Sequence, residues 1–179
     1  MNIPNLLTLL RIILVPVMVI CLIQGLLLRA LIVFVIASIT DGLDGFLARI
    51  LKQKSILGAY LDPLADKALI ASSFITLSII DTIPGWLTVI VISRDFVILI
   101  GICVLVIMSI PFEVHPAFIS KITTAFQLVT IFFSLMCMAL PEYFSIRYIS
   151  ALFWATALVT IASGLNYIVK GVRYINNST

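Results

Sequence analysis

Long apolar runs, separated by short polar or proline-containing breaks, make up most of this chain. Six runs come near the ~20 residues that an α-helix needs to cross the hydrocarbon of a bilayer. They are Leu6–Ile23, Leu26–Arg49, Ala59–Ile80, Gly85–Ile110, Phe118–Leu140 and Ile146–Val169. The breaks carry turn and helix-stop signals, such as Gln24-Gly25 and Pro141-Glu142. The pattern predicts an all-α bundle of six transmembrane helices that forms one domain over residues 1–179.

The composition agrees with a membrane location. Hydrophobic residues make up 63% of the 179 and charged residues only 11%, against roughly 45–50% and 25% in soluble domains. The lipid bilayer is therefore the expected surrounding of the chain. The formal net charge is +3, but the basic residues lie near helix ends and form no stripe or run. This distribution argues against a nucleic-acid partner.

The positions of Lys and Arg predict the orientation, because cytoplasmic loops carry more of them than outer loops. If the N-terminus is cytoplasmic, the cytoplasmic ends of the spans hold Arg49, Lys52, Lys54, Lys121, Lys170 and Arg173, and the outer ends hold Arg29 and Arg147. We therefore expect an integral membrane protein with both termini on the cytoplasmic side. Arg11, Lys67 and Arg94 lie inside spans, so each needs a partner there.

Four of the eight acidic residues are concentrated around the second break. Asp41 and Asp44 are spaced i, i+3 near the end of the second span. Asp62 and Asp66 are spaced i, i+4 near the start of the third, where we expect Pro63 to fall close to the first helical turn. An ionised carboxylate inside a span costs at least ~2.5–3.5 kcal/mol on insertion scales, so such residues usually face an interior or a watery cavity.

The connection between these two spans is short, so the helices should be antiparallel neighbours with their carboxylate pairs at one depth. Four converging carboxylates suit hard divalent cations, Mg²⁺ or Mn²⁺, and two such ions lie about 3.5–4 Å apart in two-metal sites. Gly45, Ala48 and Gly58 leave space for a bulky ligand, and Arg49 offers a fork of donors to phosphate. This combination predicts a phosphate ester as substrate, with the site on the cytoplasmic side.

Other interpretations of the acidic residues remain open. They could pair with Arg11, Arg49 and Lys67 only to hold the bundle together, although four acids are poorly explained by ion pairing alone. Intramembrane carboxylates also mark ion pathways, but those of a small ion transporter should be spread through the membrane depth. A noncatalytic assembly factor is a third possibility, and it would tolerate Asp66→Asn with little effect.

The acidic residues belong to a longer pattern, D-x-x-D-G-x-x-A-R, eight residues, then G-x-x-x-D-x-x-x-D, which runs from Asp41 to Asp66. It resembles the signature of the CDP-alcohol phosphatidyltransferase family, with every fixed position present. The N-terminal segment from Ile3 to Arg11 is similar to that of members with glycerol-type acceptors. A looser resemblance extends across all six spans and so covers most of the chain.

The resemblance implies a six-helix fold, a homodimer and a metal site at the cytoplasmic membrane face. By analogy, Asp41, Asp44 and Asp62 would bind metal, and Asp66 would both contact metal and act as general base on the acceptor hydroxyl. The cytidine nucleotide site would be lined by Gly45, Ala48, Arg49 and Gly58. The activated oxygen would attack the phosphorus that carries diacylglycerol in CDP-diacylglycerol, and CMP would leave.

Two acceptors fit the resemblance: phosphatidylglycerol, which gives cardiolipin, and glycerol-3-phosphate, which gives phosphatidylglycerophosphate. Members that use glycerol-3-phosphate typically show Arg-Glu and a second Arg eight positions after the first. This chain has Arg94-Asp95 and Ile102 at those positions. We therefore favour phosphatidylglycerol and keep glycerol-3-phosphate as the alternative.

The acceptor would be bound by Arg94 in the fourth span and by Ser120, Lys121 and Thr124 in the fifth. Ser120, Thr124 and Gln127 form a polar stripe at i, i+4 and i+7, which could equally serve hydrogen bonds between helices. Adjacent helical residues point in different directions, so we expect Arg94 to reach an anion, with a buried local charge pair with Asp95 as the alternative.

Overall fold

The computed structural model describes residues 3–50, 56–108, 118–141 and 149–178, with side chains over 6–42, 61–104, 107–108, 118–141 and 149–173. All regular structure in these ranges is α-helical, which confirms the all-α prediction. The helices are α1 (Ile3–Ile23), α2 (Leu27–Ile50), α3 (Ile56–Ile79), α4 (Gly85–Ile107), α5 (Phe118–Ala139) and α6 (Ser150–Ser178).

Four helices in the described ranges are long and apolar enough to cross a membrane. The qualifying stretches are Leu6–Ile23, Gly85–Val104, Phe118–Ala139 and Ser150–Arg173. Large apolar side chains remain exposed on their outer faces, including Ile13, Phe96 and Leu158, as expected for contact with lipid. These helices indicate an integral membrane protein, and membrane crossing by α2 and α3 remains a prediction.

Two connections reverse the chain through a left-handed residue. Gly25 has φ 71° after α1, and Asp81 has φ 56° after α3. In both turns the next amide donates back to the preceding helix, from Leu26 N to the Cys21 carbonyl at 2.8 Å and from Thr82 N to the Leu77 carbonyl at 2.9 Å. These bonds satisfy carbonyls that would otherwise lack donors at the helix ends.

The expected position of Pro63 was wrong. Helix α3 begins at Ile56, so Pro63 lies inside the helix and not in its first turn. Proline has no N–H to donate to the carbonyl four residues earlier. The helix begins before the apolar run that was expected to start at Ala59, so the proline falls in its interior.

The helices pack as two groups of three. Helix α1 contacts α2 and α3, while α6 contacts α4 and α5, and the groups meet where α3 touches α4 and α5 and where α2 touches α5. Met18, Phe34, Phe74, Leu87 and Leu135 are fully or almost fully buried in the shared core.

Candidate active site

Arg11 joins the first three helices at one atom. Its side chain is fully buried, and Nη1 lies 3.1 Å from Oδ1 of Asp41 on α2. The same nitrogen donates to Oδ1 of Asp66 on α3. Two carboxylates from neighbouring helices, each 37% exposed, therefore share one cation. The first and last acids of the sequence pattern are brought together in the described structure.

Thr8 provides a second contact between α1 and α3. Its hydroxyl, on a fully buried side chain, donates to Oδ1 of Asp62. Thr8 and Arg11 are spaced i, i+3 on α1, and Asp62 and Asp66 are spaced i, i+4 on α3, so both members of each pair lie on one helix face. The two contacts align the acidic face of α3 with α1.

Several predicted site residues have no described side chain. These are Asp44, Gly45, Ala48 and Arg49 in the last part of α2 and Gly58 in the first part of α3. Among the described side chains, no group of three acidic, His or Cys residues is placed to hold a metal ion. The described acids Asp41, Asp62 and Asp66 are therefore not gathered into one metal-binding group, and the fourth predicted ligand, Asp44, lies outside the described side chains.

The donor chemistry around Arg11 nevertheless fits a divalent metal. Carboxylate oxygens are the ligands that Mg²⁺ and Mn²⁺ prefer. Asp41 and Asp66 already place oxygens around a single cationic nitrogen, and Thr8 fixes the orientation of Asp62. These acids would hold the metal together with Asp44, and Thr8 would then be a hydrogen-bonded partner of one ligand.

Arg94 lies at the centre of a second polar cluster, between α4, α5 and α6. The residue is 8% exposed. Its Nη2 donates to Ser120 Oγ at 2.6 Å and to Ser163 Oγ at 2.9 Å. The guanidinium carbon lies 5.9 Å from the centre of the Tyr167 ring, within reach of a cation–π contact. Arg94 is thus held by helices that are distant in sequence.

Arg94 pairs with Asp95, which the sequence left open as the alternative. Arg94 Nη1 lies 2.7 Å from Asp95 Oδ1. The long Arg side chain bends back along α4 to its neighbour, which the different directions of adjacent Cβ atoms do not prevent. Lys67 Nζ on α3 lies 2.9 Å from the same oxygen. Because Lys67 follows Asp66 in the chain, this ion pair connects the second cluster to the carboxylates around Arg11.

The predicted polar stripe on α5 is divided between two roles. Ser120 contacts Arg94 as described, and Thr124 Oγ1 donates to the Ser120 carbonyl at 3.1 Å. Gln127 is buried and its Nε2 lies 3.5 Å from Thr160 Oγ1 on α6. Lys121 is exposed. Gln127 therefore serves contact between helices, whereas Ser120 and Thr124 adjoin the Arg94 cluster.

Sequence reasoning missed three residues of these clusters. Thr8 could have been noticed, because it and Arg11 are polar, lie one turn apart and interrupt an apolar span. Ser163 and Tyr167 carry no comparable signal, since small polar and aromatic residues are common in membrane helices. Only the packing of α4 against α6 brings them to Arg94.

Comparison with known proteins assigns the chain to a family. Residues 1–162 match the family model described as CDP-alcohol phosphatidyltransferase. This family generally depends on divalent metal ions.

Three curated relatives show which enzymes this chain is similar to. A cardiolipin synthase (CMP-forming) of Rattus norvegicus is 38% identical over 190 residues, covering 97% of this chain and 63% of the relative. A probable phosphatidylglycerophosphate synthase of Mycobacterium tuberculosis is 34% identical, with 97% and 83% covered. The CDP-diacylglycerol–glycerol-3-phosphate 3-phosphatidyltransferase of Bacillus subtilis is 33% identical, with 99% and 98% covered.

The chain spans less than two thirds of the length of the mammalian cardiolipin synthases, at 63%. The family assignment does not depend on the remainder, because the family model itself covers most of this chain. The sequence pattern, the helical fold and these matches agree. The chain belongs to the CDP-alcohol phosphatidyltransferase family.

Proposed function

We propose that this protein transfers the phosphatidyl group of CDP-diacylglycerol to a glycerol-type alcohol and releases CMP, in the synthesis of anionic phospholipids. The observation that carries the proposal is the family match over residues 1–162 together with the complete acidic pattern. The pairing of Asp41 and Asp66 with Arg11 Nη1 would also fit acids that only hold the bundle together, and the family match favours catalysis. These acids are the first and last of the family pattern, and they come from different helices. A transporter with acids spread through the membrane depth would not require that convergence.

The proposed metal ligands are Asp41, Asp44, Asp62 and Asp66. Bound Mg²⁺ or Mn²⁺, as a pair of ions, would offset the negative charge of the diphosphate and make the acceptor hydroxyl more acidic. Arg11 contributes a fixed positive charge beside two of these acids, and Thr8 holds Asp62. The chain thereby keeps the carboxylates oriented before substrate arrives.

Asp66 is the proposed general base. Its carboxylate accepts the proton of the acceptor hydroxyl while the hydroxyl oxygen forms a bond to the phosphorus attached to diacylglycerol. The bond from that phosphorus to the oxygen of CMP breaks, and the electron pair leaves with CMP. The proton then passes from Asp66 to solvent. Contact with Arg11 positions Asp66 for this transfer.

The nucleotide would lie along the end of α2 and the start of α3. Gly45, Ala48 and Gly58 would allow close approach to the backbone, and Arg49 would donate to phosphate. The glycerol-type acceptor would lie beside the Arg94 cluster, with Ser120, Thr124 and Lys121 as further contacts. Arg94 is already buried among hydroxyl groups, which suits recognition of a polar headgroup.

We favour phosphatidylglycerol as acceptor, with cardiolipin as product. Arg94-Asp95 followed by Ile102 offers few cations for a dianionic acceptor. Glycerol-3-phosphate is the second candidate, because this chain covers 83% of the probable phosphatidylglycerophosphate synthase of Mycobacterium tuberculosis and 98% of the glycerol-3-phosphate 3-phosphatidyltransferase of Bacillus subtilis, against 63% of the Rattus norvegicus cardiolipin synthase. We further propose that the chain forms a single membrane domain and dimerises with a second copy. Its active site and both termini would lie on the cytoplasmic side.

The test supplies purified protein with CDP-diacylglycerol, Mg²⁺ or Mn²⁺, and either phosphatidylglycerol or glycerol-3-phosphate. Released CMP and the lipid product are both identified. We expect metal-dependent CMP release with cardiolipin formed from phosphatidylglycerol. A product only with glycerol-3-phosphate would overturn the acceptor assignment, and no CMP with either acceptor would overturn the transferase assignment.

A further inference from the structure

One carboxylate oxygen of Asp95 forms ion pairs with two cationic side chains. Arg94 Nη1 on the same helix lies 2.7 Å from Oδ1, and Lys67 Nζ on α3 lies 2.9 Å from the same atom. The Asp95 side chain is 17% exposed, and that of Arg94 is 7% exposed. The three side chains together carry two positive charges and one negative charge. The cluster therefore has a net charge of about one positive unit at neutral pH.

Arg94 also has a donor that no described residue uses. Its Nε is buried without a hydrogen-bond partner, while both terminal nitrogens are engaged. Buried donors are rarely left without an acceptor. A ligand oxygen would satisfy this donor, and the residual positive charge would favour an anionic one.

The two candidate acceptors differ in the charge they bring to such a cluster. The phosphodiester of phosphatidylglycerol carries one negative charge. A phosphomonoester such as glycerol-3-phosphate carries about −1.5 to −2 at pH 7. A cluster of one net positive charge matches the diester, whereas a dianion would need another cation.

We propose that Asp95 is a positioning residue that sets acceptor specificity: by neutralising one of the two cations around it, it tunes the Arg94 cluster to a singly charged phosphodiester. The inference rests on the proposed transferase function and on acceptor binding beside Arg94. Asp95 acts through Arg94 and Lys67 and makes no contact with the reacting atoms. Its effect should therefore fall on the KM of the acceptor more than on kcat.

A charge series tests the inference in the full-length protein. Asp95→Asn raises the cluster to two positive charges, and Lys67→Gln lowers it to zero. We expect Asp95→Asn to raise the ratio of kcat/KM for glycerol-3-phosphate to kcat/KM for phosphatidylglycerol by about fivefold or more. That factor is the expected effect on binding of one unit charge a few ångströms from the ligand in water-like surroundings. Lys67→Gln should shift the same ratio downward, and each change should appear mainly in KM.

Two variants and a second readout control the experiment. Asp95→Glu keeps the charge and should keep the ratio near that of the wild type. Asp81→Asn makes the same chemical change in the exposed turn between α3 and α4 and should leave the ratio unchanged. Glycerol-3-phosphate is also titrated as an inhibitor of cardiolipin formation, so its binding is measured whether or not it reacts.

Opposite shifts in Asp95→Asn and Lys67→Gln, with Asp95→Glu close to wild type, would support the assignment. Shifts in the same direction, or equal losses for both acceptors with unchanged KM values, would overturn it and leave Asp95 a structural residue. Those results are distinct from failure of the transferase proposal. If the transferase proposal failed, the wild type would release no CMP with either acceptor, and both proposals would be wrong.

Discussion

Arg11 on α1 donates from Nη1 to Oδ1 of Asp66 on α3. Asp41 on α2 lies 3.1 Å from the same nitrogen, so one buried guanidinium ties three helices together at the first and last acids of the family pattern. The contact has two consequences. It lowers the repulsion between the carboxylates in the metal-free protein, and it makes the stability of the first three helices depend on a cation at this point.

Arg11→Gln should therefore make stability depend on metal. Losing one partner of a fully buried ion pair costs about 3–5 kcal/mol. Because Asp41 and Asp66 are partly exposed, solvent screening should reduce the loss to about 1–3 kcal/mol. The unfolding midpoint in detergent should fall, and Mg²⁺ should raise it more in the variant than in the wild type. Arg29→Gln, at an exposed position on α2, is the control. Equal Mg²⁺ responses in all three proteins would contradict the shared-cation account.

Thr8→Val should weaken metal activation. The change removes the hydroxyl that donates to Asp62 while nearly preserving the side-chain volume. Loss of a partner that orients a metal ligand typically costs 10–100-fold in metal affinity or activity. The Mg²⁺ or Mn²⁺ concentration that gives half-maximal CMP release should rise by about that factor. Thr8→Ser retains the hydroxyl and should behave like the wild type, and an unchanged metal requirement in Thr8→Val would count against Asp62 as a ligand.

The polar contacts between α5 and α6 should stabilise the bundle without affecting chemistry. Thr130 and Thr156 are buried, with hydroxyl oxygens 2.7 Å apart. Hydrogen bonds between membrane helices contribute about 0.6 kcal/mol on average and up to about 1.7. Thr130→Val and Thr156→Val should each lower the free energy of unfolding, and the double variant should lose less than the sum of the two. Strict additivity would show that the two hydroxyl groups are not coupled.

The turn after α1 should depend on backbone conformation alone. Gly25 has φ 71°, and an added Cβ would meet no atom within 4 Å. Gly25→Ala should cost about 1 kcal/mol, since a left-handed conformation is unfavourable for residues with a Cβ. Gly101→Ala makes the same change inside α4, where space is also open, and should gain about 0.5–1 kcal/mol. Unfolding measurements that show the same sign for both variants would refute this interpretation.

The positions of most helices were predictable from the sequence, because hydrocarbon thickness sets the length of a membrane-spanning helix and turn residues mark its ends. Predicted starts at Gly85 and Phe118 coincide with the starts of α4 and α5. The expected start of the third span at Ala59 was less accurate, since α3 begins at Ile56 and carries Pro63 in its interior. Helical structure extends past the apolar run there, and hydrophobicity does not mark that extension.

The candidate site was only partly predictable. Clustering and spacing identified Asp41 and Asp66, because charges in apolar spans stand out against their surroundings. The sequence also showed that Arg11 needed a partner, but not which acids it would contact. That choice depends on how α1 packs between α2 and α3. The sequence left open whether Arg94 pairs with Asp95, because spacing rules describe Cβ directions and not the reach of a long side chain.

The central claim is that Asp66 removes the proton from the acceptor during phosphatidyl transfer. Its most direct test is CMP release by purified Asp66→Asn with CDP-diacylglycerol, metal and phosphatidylglycerol, with Asp81→Asn as the matched control in the distant turn. We predict that Asp66→Asn loses transfer while its helical content and detergent-solubilised size match the wild type, and that Asp81→Asn remains active. Normal CMP release from Asp66→Asn would contradict the account.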